Sequence, residues 1–296
     1  MPEAIREPVA EAVRDAFGAH HTIRRALPLS GGCISHALRL DTTAGASAFL
    51  KYRLPAEPGA GMFQAEADSL RALDAARALR VPAVLGVADA SASWVLLEWL
   101  EPRPPSPADW RQLGRGLAQL HATRADRFGW NADNFIGSLP QANAWHDDWA
   151  EFWDSQRLTP RFHAARAAGL LNSRDEQMLD ALRARLPALL EPAAADGPSL
   201  LHGDLWAGNV HVHTDGPAVI DPSSYYGHGE VDLAMAGLFG GFPPEFYASY
   251  TESRPLTDGH ELRRAVYQLY YLLVHVELFG VGYVERTRAA LRAALA

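Results

Sequence analysis

The residues best suited to chemistry lie in one short stretch, Ser199–Asn209, with a further carboxylate at Asp221. The stretch places His202, Asp204 and Asn209 in a single predicted loop. In phosphotransfer centres one aspartate orients and deprotonates the attacking hydroxyl, while an asparagine oxygen and a second aspartate hold the Mg²⁺ ions that bridge the phosphates of ATP. A lone His-x-Asp is usually a polar turn between strands, but the longer pattern favours a phosphotransfer centre.

A single lysine marks a second position of interest. Of the 27 basic residues only Lys51 is a lysine, and the others are arginines. A coding bias toward arginine and alanine would explain the absence of lysine elsewhere. The retained residue is informative because a compact ammonium fits against phosphate oxygens in a confined cleft better than a planar guanidinium does. Lys51 is therefore a predicted phosphate-binding residue, with a surface lysine of no special role as the alternative.

Composition limits the class of protein. A chain of 296 residues, 48% apolar and 21% charged, can build a sizeable core and usually divides into two lobes or domains. No run approaches the roughly 18 apolar residues of a membrane span, and the N-terminus lacks a signal-peptide pattern, so we expect a cytoplasmic protein without membrane contact. The net charge of −8 argues against a broad nucleic-acid interface, and the single Cys33 excludes an internal disulfide.

The elements that must position these residues follow from apolar spacing. The predicted N-terminal elements are a helix at 3–17, strands at 22–29, 36–40 and 47–52, a helix at 62–79, and strands at 81–87 and 93–100. The five strands predict an antiparallel sheet, and the proline-rich segment 101–107 reads as a stiff linker. The sequence thus predicts an α+β fold, with an N-terminal ATP-binding lobe at 1–100 and a mostly helical C-terminal lobe at 101–296.

The second half reads as mostly helical. The predicted elements are a helix at 108–122, a long loop at 128–143, helices at 145–168 and 174–190, and later helices near 229–238, 243–253, 259–278 and from about 283. Trp145, Trp149, Phe152 and Trp153 form an aromatic stripe that we expect to be core rather than a ligand platform. His121 is expected to be satisfied at a helix end rather than catalytic.

The N-terminal elements also suggest how phosphates would be held. Gly31 and Gly32 lie in the turn between the first two strands, where they permit close approach of the backbone to phosphates. Most Gly-Gly pairs are plain hairpin turns, so this signal is weak alone. Lys51 strengthens it, because it lies on the third strand, where kinases carry the lysine that contacts the α- and β-phosphates.

Further nucleotide-side residues lie on the helix and strand that follow. Glu66, near the start of the helix at 62–79, can pair with the lysine and fix its ammonium. Asp68 is the competing carboxylate, and a dipole-favoured glutamate at a helix start is the alternative. The backbone of Glu98, Trp99 and Leu100 is expected to face the adenine.

A family resemblance rests on several motifs taken together. In chain order they are Gly31-Gly-Cys-Ile-Ser35, Phe49-Leu-Lys51, Met62-Phe-Gln-Ala-Glu66, Phe128-Gly-Trp130, Asp133-Asn-Phe-Ile-Gly137, Pro140-Gln-Ala-Asn143, His202-Gly-Asp-Leu-Trp-Ala-Gly-Asn209, Ile220-Asp-Pro222 and Tyr225-Tyr-Gly-His228. With these motifs the chain resembles the fructosamine kinase (ketosamine-3-kinase) family. His-Gly-Asp followed by Asn is shared with aminoglycoside and choline kinases, whereas the Leu-Trp insertion and the Tyr-Tyr-Gly-His run are narrower.

The resemblance implies a protein-kinase-like fold and ATP-dependent phosphorylation of the 3-hydroxyl of a ketosamine, the Amadori product of a sugar and an amine. The phosphate then eliminates and frees the amine, which is a deglycation repair step. By the same resemblance Asp204 is the catalytic carboxylate, Asn209 and Asp221 are Mg²⁺ ligands, and Lys51 paired with Glu66 holds the phosphates of ATP. These roles coincide with those inferred from the residues alone.

Two further residues are expected to order the loop. His202 precedes Asp204 at the position of the kinase histidine that fixes the catalytic loop, and Asp232 is expected to tie a helix start to that loop. Pro222 follows Asp221 where protein kinases place Phe-Gly, so a mobile switch of that type is not expected.

Acceptor recognition is predicted less sharply. The candidate residues are Trp206, Asn134, Gln141, Asn143, Tyr225 and His228. Trp206 is expected to form a wall beside the sugar, while the amide side chains either read hydroxyls or order their own loop. The expected partner is a small ketosamine or a glycated protein lysine. The resemblance implies that two chains can be joined at the position of Cys33, so we expect a monomer or a Cys33-linked homodimer.

Two alternatives to a ketosamine kinase stay open at this point. One is a small-molecule hydroxyl kinase of the aminoglycoside or choline kinase type. The other is a nucleotide-binding pseudokinase without activity. The complete set of Lys51, Asp204, Asn209 and Asp221 argues against the pseudokinase, because degenerate kinases usually lose at least one of these residues.

Overall fold

The N-terminal part is a helix followed by a five-stranded antiparallel sheet. The computed structural model describes residues 1–29, 35–54, 57, 59–89 and 93–296. The first elements are α1 (Glu3–Phe17), β1 (Ile23–Pro28), β2 (His36–Thr42), β3 (Ser47–Tyr52), α2 (Met62–Ala76), β4 (Val84–Asp89) and β5 (Ser93–Glu98). The strands lie in the order β1-β2-β3-β5-β4, with every neighbouring pair antiparallel. This confirms the predicted sheet.

Each face of the sheet is covered by one of the two helices. α1 buries Ile5, Val9 and Val13, whose four-residue spacing puts them on one side of the helix. They share a core cluster with Trp94 and Leu96 of β5, whereas Val95 and Leu97 belong to the cluster that contains α2. The alternation arises because successive side chains of a strand point to opposite faces of the sheet. The sheet therefore lies between α1 and α2.

The rest of the chain is mainly helical. Its elements are α3 (Pro107–Leu120), β6 (Asn134–Ile136), β7 (Leu139–Gln141), α4 (Trp149–Phe152), a π-helical segment (Trp153–Leu158), α5 (Thr159–Ala167), α6 (Ser173–Asp196), β8 (Ser199–Leu200), a 3₁₀ turn (Ala207–Asn209), β9 (Val210–His213), β10 (Gly216–Val219), β11 (Tyr226–Gly227), α7 (Glu230–Leu238), α8 (Pro244–Ser253), α9 (His260–Phe279), a second 3₁₀ turn (Gly280–Tyr283) and α10 (Val284–Leu295). Trp149, Phe152 and Trp153 are buried, so three of the four residues of the aromatic stripe are core as expected, whereas Trp145 is only partly buried.

Two local features differ from the sequence prediction. The segment predicted as a loop contains the β6–β7 hairpin, and the helix predicted from residue 145 starts at Trp149 and includes the π-helical segment. Pro160 lies in the first turn of α5. Proline has no amide hydrogen, so the carbonyl four residues earlier, that of Gln156, cannot receive its usual helical hydrogen bond from Pro160. The irregular winding occurs directly before this proline.

One helical stretch, His260–Leu295, is long and apolar enough to cross a membrane by length and composition alone. Half of its most apolar window is buried inside the fold. Tyr267, Tyr270 and Tyr271 of α9 are buried in the main core cluster of the helical part. We interpret the stretch as core helix, since buried helices of ordinary globular proteins have the same composition.

Candidate active site

The loop after β8 places Asp204 and Asn209 side by side. Asn209 Nδ2 donates to the main-chain carbonyl of Asp204 at 2.8 Å and lies 3.3 Å from its carboxylate oxygen Oδ2. The β9–β10 hairpin then returns the chain, and the amide of Ile220 donates to the carbonyl of Asn209 at 3.0 Å. The second predicted metal ligand, Asp221, follows directly. The two carboxylates and the amide thus meet in one site.

The loop that carries Asp204 and the segment after Asp221 cross at very close range. Gly203 has φ +84°, and a Cβ placed on it would lie 2.0 Å from the carbonyl oxygen of Ser223. The amide of Ser223 donates to the carbonyl of His202 at 2.8 Å. Asp221 itself has φ +55°, which is rare for a residue other than glycine. The crossing therefore requires glycine at 203 and holds Asp221 in a strained conformation.

The environment of Asp204 suits proton transfer. Burial, together with the nearby charge of Asp221, raises the pKa of Asp204 to about 7. A carboxylate with a pKa near neutrality is well matched to accept a proton from an attacking hydroxyl at physiological pH.

His202 and Asp232 fix the conformation of the loop that carries Asp204. Asp232 accepts hydrogen bonds from the amides of His202 at 2.8 Å and Gly203 at 2.9 Å. The amide of Asp204 donates to His202 Nδ1, so Nε2 carries the proton and donates to the carbonyl of Ile220 at 3.0 Å. Burial lowers the pKa of His202, which favours this neutral form. Both side chains are used in fixing the loop.

Lys51 of β3 reaches the same site from the sheet. Its Nζ donates to Glu66 Oε1 of α2 at 2.7 Å and also to Asp221 Oδ1. The competing carboxylate, Asp68, instead accepts hydrogen bonds from Gln64 and Arg71 on the exposed side of α2. Glu66 is therefore the partner of the lysine in this structure.

Burial and charge together set the pKa values of Lys51 and Glu66 beside Asp221. Burial opposes the charged form of Lys51, but the carboxylates of Asp221 and Glu66 outweigh burial and raise its pKa. Burial raises the pKa of Glu66, and the ammonium of Lys51 opposes that shift. The lysine thus stays charged and provides a fixed positive charge in the cleft.

The oxygen donors fit a magnesium site. Asn209 Nδ2 faces the carbonyls of Asp204 and Asp221, at 2.8 and 3.5 Å, which orients the amide oxygen as the remaining acceptor. The side chain of Asp221 is 43% exposed. Mg²⁺ prefers oxygen ligands and is commonly held by one or two side chains together with nucleotide phosphates. Within the described residues no group of three or more His, Cys, Asp or Glu side chains could hold a metal ion.

The segment expected to face adenine lies at the end of β5. The amide of Glu98 donates to the carbonyl of Ala83 at 2.8 Å, so this amide is already used. His211 Nε2 lies 2.9 Å from the carbonyl oxygen of Leu100. Adenine contact by Glu98–Leu100 stays a prediction, and Gly31, Gly32 and Cys33 lie outside the described residues.

Five of the six predicted acceptor residues lie in the interior and not at a surface. Asn134, Gln141, Asn143, Tyr225 and His228 are each 4% exposed or less. Asn134 Oδ1 accepts hydrogen bonds from Gln141 and Asn143, both at 2.8 Å, and His228 Nδ1 bonds the Tyr267 hydroxyl. In this structure the amide side chains order their own hairpin and do not present a surface to an acceptor. Sequence could not decide this, because a polar side chain looks the same whether it faces inward or outward.

Trp206 is the exception among the acceptor candidates. Its residue is 41% exposed, and a Cβ placed on Gly208 would lie 2.2 Å from its indole ring. The ring therefore lies across Gly208 of the loop that carries Asp204. Contact of Trp206 with the acceptor stays a prediction. One residue that the sequence analysis missed also supports the loop, since the Tyr271 hydroxyl donates to the carbonyl of Gly203 at 2.7 Å.

Comparison with known proteins identifies the family. The family model described as fructosamine kinase matches residues 5–296. The chain belongs to the fructosamine kinase family. It is 38% identical to a Synechocystis protein described as "Probable ketoamine kinase" over 291 residues, covering 97% of this chain and 96% of that protein. It is 36% identical to the ketosamine-3-kinase of Mus musculus over 283 residues, covering 86% and 89%.

Solved structures agree with the fructosamine kinase assignment. A crystal structure from Thermobifida fusca, described as a "putative fructosamine-3-kinase", has 35% identity and a TM-score of 0.87, covering 97% of this chain and 98% of that one. A gentamicin complex of an aminoglycoside phosphotransferase has 12% identity and a TM-score of 0.61, covering 100% and 98%. At that identity the second likeness shows the fold alone. The predicted kinase-like α+β fold is confirmed.

Proposed function

We propose that the protein is an ATP-dependent kinase that phosphorylates the 3-hydroxyl of ketosamines. The observation that carries the proposal is the meeting of Lys51, Asp204, Asn209 and Asp221 in one site of a chain that belongs to the fructosamine kinase family. Relatives of similar identity are named ketosamine-3-kinase and protein-ribulosamine 3-kinase, the latter from Oryza sativa with 38% identity.

Each residue then has one role in the transfer. Asp204 accepts the proton of the attacking 3-hydroxyl, whose oxygen forms a bond to the γ-phosphorus as the bond to the β-phosphate oxygen breaks. Lys51, oriented by Glu66, binds the phosphates. Asn209 and Asp221 would hold Mg²⁺, which neutralises charge on the phosphates when bound. His202 and Asp232 fix the loop that carries the base.

Trp206 is the residue that best fits contact with the acceptor. Its exposed indole lies two residues after Asp204, where an apolar ring can cover the sugar. The acceptor is a small ketosamine or a glycated lysine of a protein, and elimination of the phosphate then frees the amine. We further propose that the protein works in the cytoplasm as a monomer or as a Cys33-linked homodimer.

The dimer has a simple test. After diamide treatment, non-reducing electrophoresis should show a dimer band in the wild type that is lost in Cys33→Ser. A wild type that stays monomeric after this treatment would exclude the linkage.

A phosphorylation screen tests the substrate class. Purified protein with Mg²⁺ and ATP is offered ribulosamines, fructosamines, a glycated peptide, choline and aminoglycosides side by side, and ADP release is measured for each. We expect turnover with the ketosamines only. Turnover with aminoglycosides or choline alone would assign a different small-molecule kinase, and nucleotide binding without any turnover would indicate a pseudokinase.

A further inference from the structure

Arg157 is a fully buried cation in the helical part, with 0% exposure. Its hydrogen-bond acceptors among the residues that the structure describes are all uncharged, although buried charges are normally paired because desolvation is unfavourable. Its guanidinium carbon instead lies 4.1 Å from the ring centroid of Tyr225 and 4.7 Å from that of Phe152. The charge is therefore stabilised by aromatic faces, which attract a desolvated guanidinium.

The position of this guanidinium is built into the helix that carries it. Arg157 lies in the π-helical segment Trp153–Leu158, a type of winding that often occurs at functional sites. Its Nη1 donates to the carbonyl of Gln156 at 3.1 Å, the carbonyl that Pro160 cannot serve, and to the carbonyl of Ala142 at 2.5 Å. The helix winding and these two hydrogen bonds together fix the orientation of the Arg157 side chain.

A chain of side-chain hydrogen bonds leads from Arg157 to the segment after Asp221. Arg157 Nη2 donates to Asn143 Oδ1 at 2.7 Å, so the Nδ2 of Asn143 is left to donate, which it does to Asn134 Oδ1 at 2.8 Å. Asn134 Nδ2 then donates to the carbonyl of Ser224 at 2.9 Å. Because an arginine can only donate, it sets the orientation of both amides in turn.

We propose that Arg157 is a positioning residue for Asp221. It holds the segment 221–225 at two points, through the ring face of Tyr225 and through the Asn143–Asn134 chain to Ser224. Asp221 needs such support because its backbone has φ +55°, and a strained conformation persists only where the surroundings fix it. The inference rests on the proposed function, in which Asp221 is a metal ligand beside ATP.

The test compares Arg157→Met and Arg157→Lys with the wild type by two measurements that require no ketosamine. One is amide hydrogen exchange of nucleotide-free protein over residues 223–227, and the other is the Mg²⁺ concentration that half-saturates binding of a non-hydrolysable ATP analogue. Supports of metal ligands typically change metal affinity by about 10- to 100-fold. We therefore expect Arg157→Met to raise the half-saturating Mg²⁺ concentration by about tenfold or more and to speed exchange in this segment, with a smaller effect for lysine.

Tyr225 provides a matched pair that tests the same contact. The Tyr225 hydroxyl makes no hydrogen bond of normal geometry among the described residues, so Tyr225→Phe keeps the ring face over Arg157 and should behave as wild type. Tyr225→Leu removes the face and should resemble Arg157→Met. If Arg157→Met does not fold, the Tyr225 pair and Arg157→Lys still decide the question.

Two results would overturn the proposal. One is an unchanged Mg²⁺ half-saturation in Arg157→Met and Tyr225→Leu. The other is faster exchange spread evenly over the helical part, which would indicate a general packing role. Absence of ketosamine turnover in the wild type, with the Mg²⁺ and exchange effects as expected, would remove the proposed function and leave the positioning role standing.

Discussion

Lys51 and Asp221, which are 170 residues apart in the chain, are joined by an ion pair between Nζ and Oδ1. The same ammonium binds Glu66, so one charge links β3, α2 and the segment that carries the second predicted metal ligand. Phosphates of a bound nucleotide compete with Asp221 for the ammonium. We expect nucleotide binding to replace this ion pair with contacts from Lys51 to phosphate and from Asp221 to Mg²⁺.

Replacement of Lys51 by arginine tests whether the ammonium itself is needed. We expect Lys51→Arg to lower kcat/KM for ATP by roughly 100-fold or more, as when a fixed electrostatic donor is removed, because the larger guanidinium does not fit the buried place between Glu66 and Asp221. Steady-state kinetics with varied ATP measure the effect. Arg71→Lys makes the reverse exchange on the exposed side of α2 and should leave kinetics unchanged. Near-normal turnover of Lys51→Arg would refute the assigned role.

The close crossing at Gly203 predicts a loss of stability on substitution. Gly203→Ala adds a Cβ at 2.0 Å from the Ser223 carbonyl in a backbone with φ +84°. We expect the free energy of unfolding to fall by about 3 kcal/mol or more, from strain and the clash together. Gly45→Ala is the control, because Gly45 has φ +88° but a Cβ placed on it has no atom within 4 Å. This variant isolates the backbone strain, and we expect its free energy of unfolding to fall by about 1 kcal/mol. Equal urea midpoints of unfolding for Gly203→Ala and Gly45→Ala would contradict the predicted clash with Ser223.

Buried His228 predicts a pH dependence of stability. Burial lowers its pKa from 6.5 to about 3, so in the folded state it stays neutral at pH values where the unfolded chain takes up a proton. Stability from this residue is present above pH 6.5 and is lost as pH falls below it, at about 1.4 kcal/mol per pH unit once the unfolded residue is protonated. His228→Asn should remove this part of the slope between pH 6.5 and pH 5.

The free energy of unfolding must be measured against pH in both the wild type and His228→Asn. Asp204, with its pKa raised to about 7, takes up a proton in the folded state and acts in the opposite direction, but it does so in both proteins and cancels from the difference. Replacement of the exposed His163 by asparagine controls for the substitution. Parallel slopes of urea-derived unfolding free energy in wild type and His228→Asn would contradict the prediction.

Much of the fold followed from the sequence because it depends on local periodicity. The four-residue spacing of Ile5, Val9 and Val13 already defines the buried side of α1. Residues 94–97 of β5 are all apolar, so their division between the two faces of the sheet is seen only in the structure. The pairing of Lys51 with Glu66 was one of the alternatives that the sequence offered, and the contacts of Glu66 and Asp68 in the structure decide for Glu66. The division into lobes at residue 100 stays a prediction.

The parts that escaped prediction depend on contacts between distant segments. Arg157 looks like any arginine of an amphipathic helix, and only the fold reveals that it faces Tyr225 and not solvent. Asn134 and His228 were candidates for contact with the acceptor, with ordering of its own loop as the alternative for Asn134. Whether a polar side chain points inward is set by partners far away in the chain, here Ser224 and Tyr267. Short-range sequence patterns do not contain that information.

The central claim is that Asp204 removes the proton from a ketosamine hydroxyl during phosphoryl transfer. The most direct test compares Asp204→Asn with wild type in single-turnover transfer from ATP to a ribulosamine, alongside binding of Mg²⁺ and ATP. We expect transfer to slow by about 1,000-fold, the scale of a lost general base, with nucleotide binding kept within a few-fold. Transfer by Asp204→Asn at a rate close to that of the wild type would contradict the account.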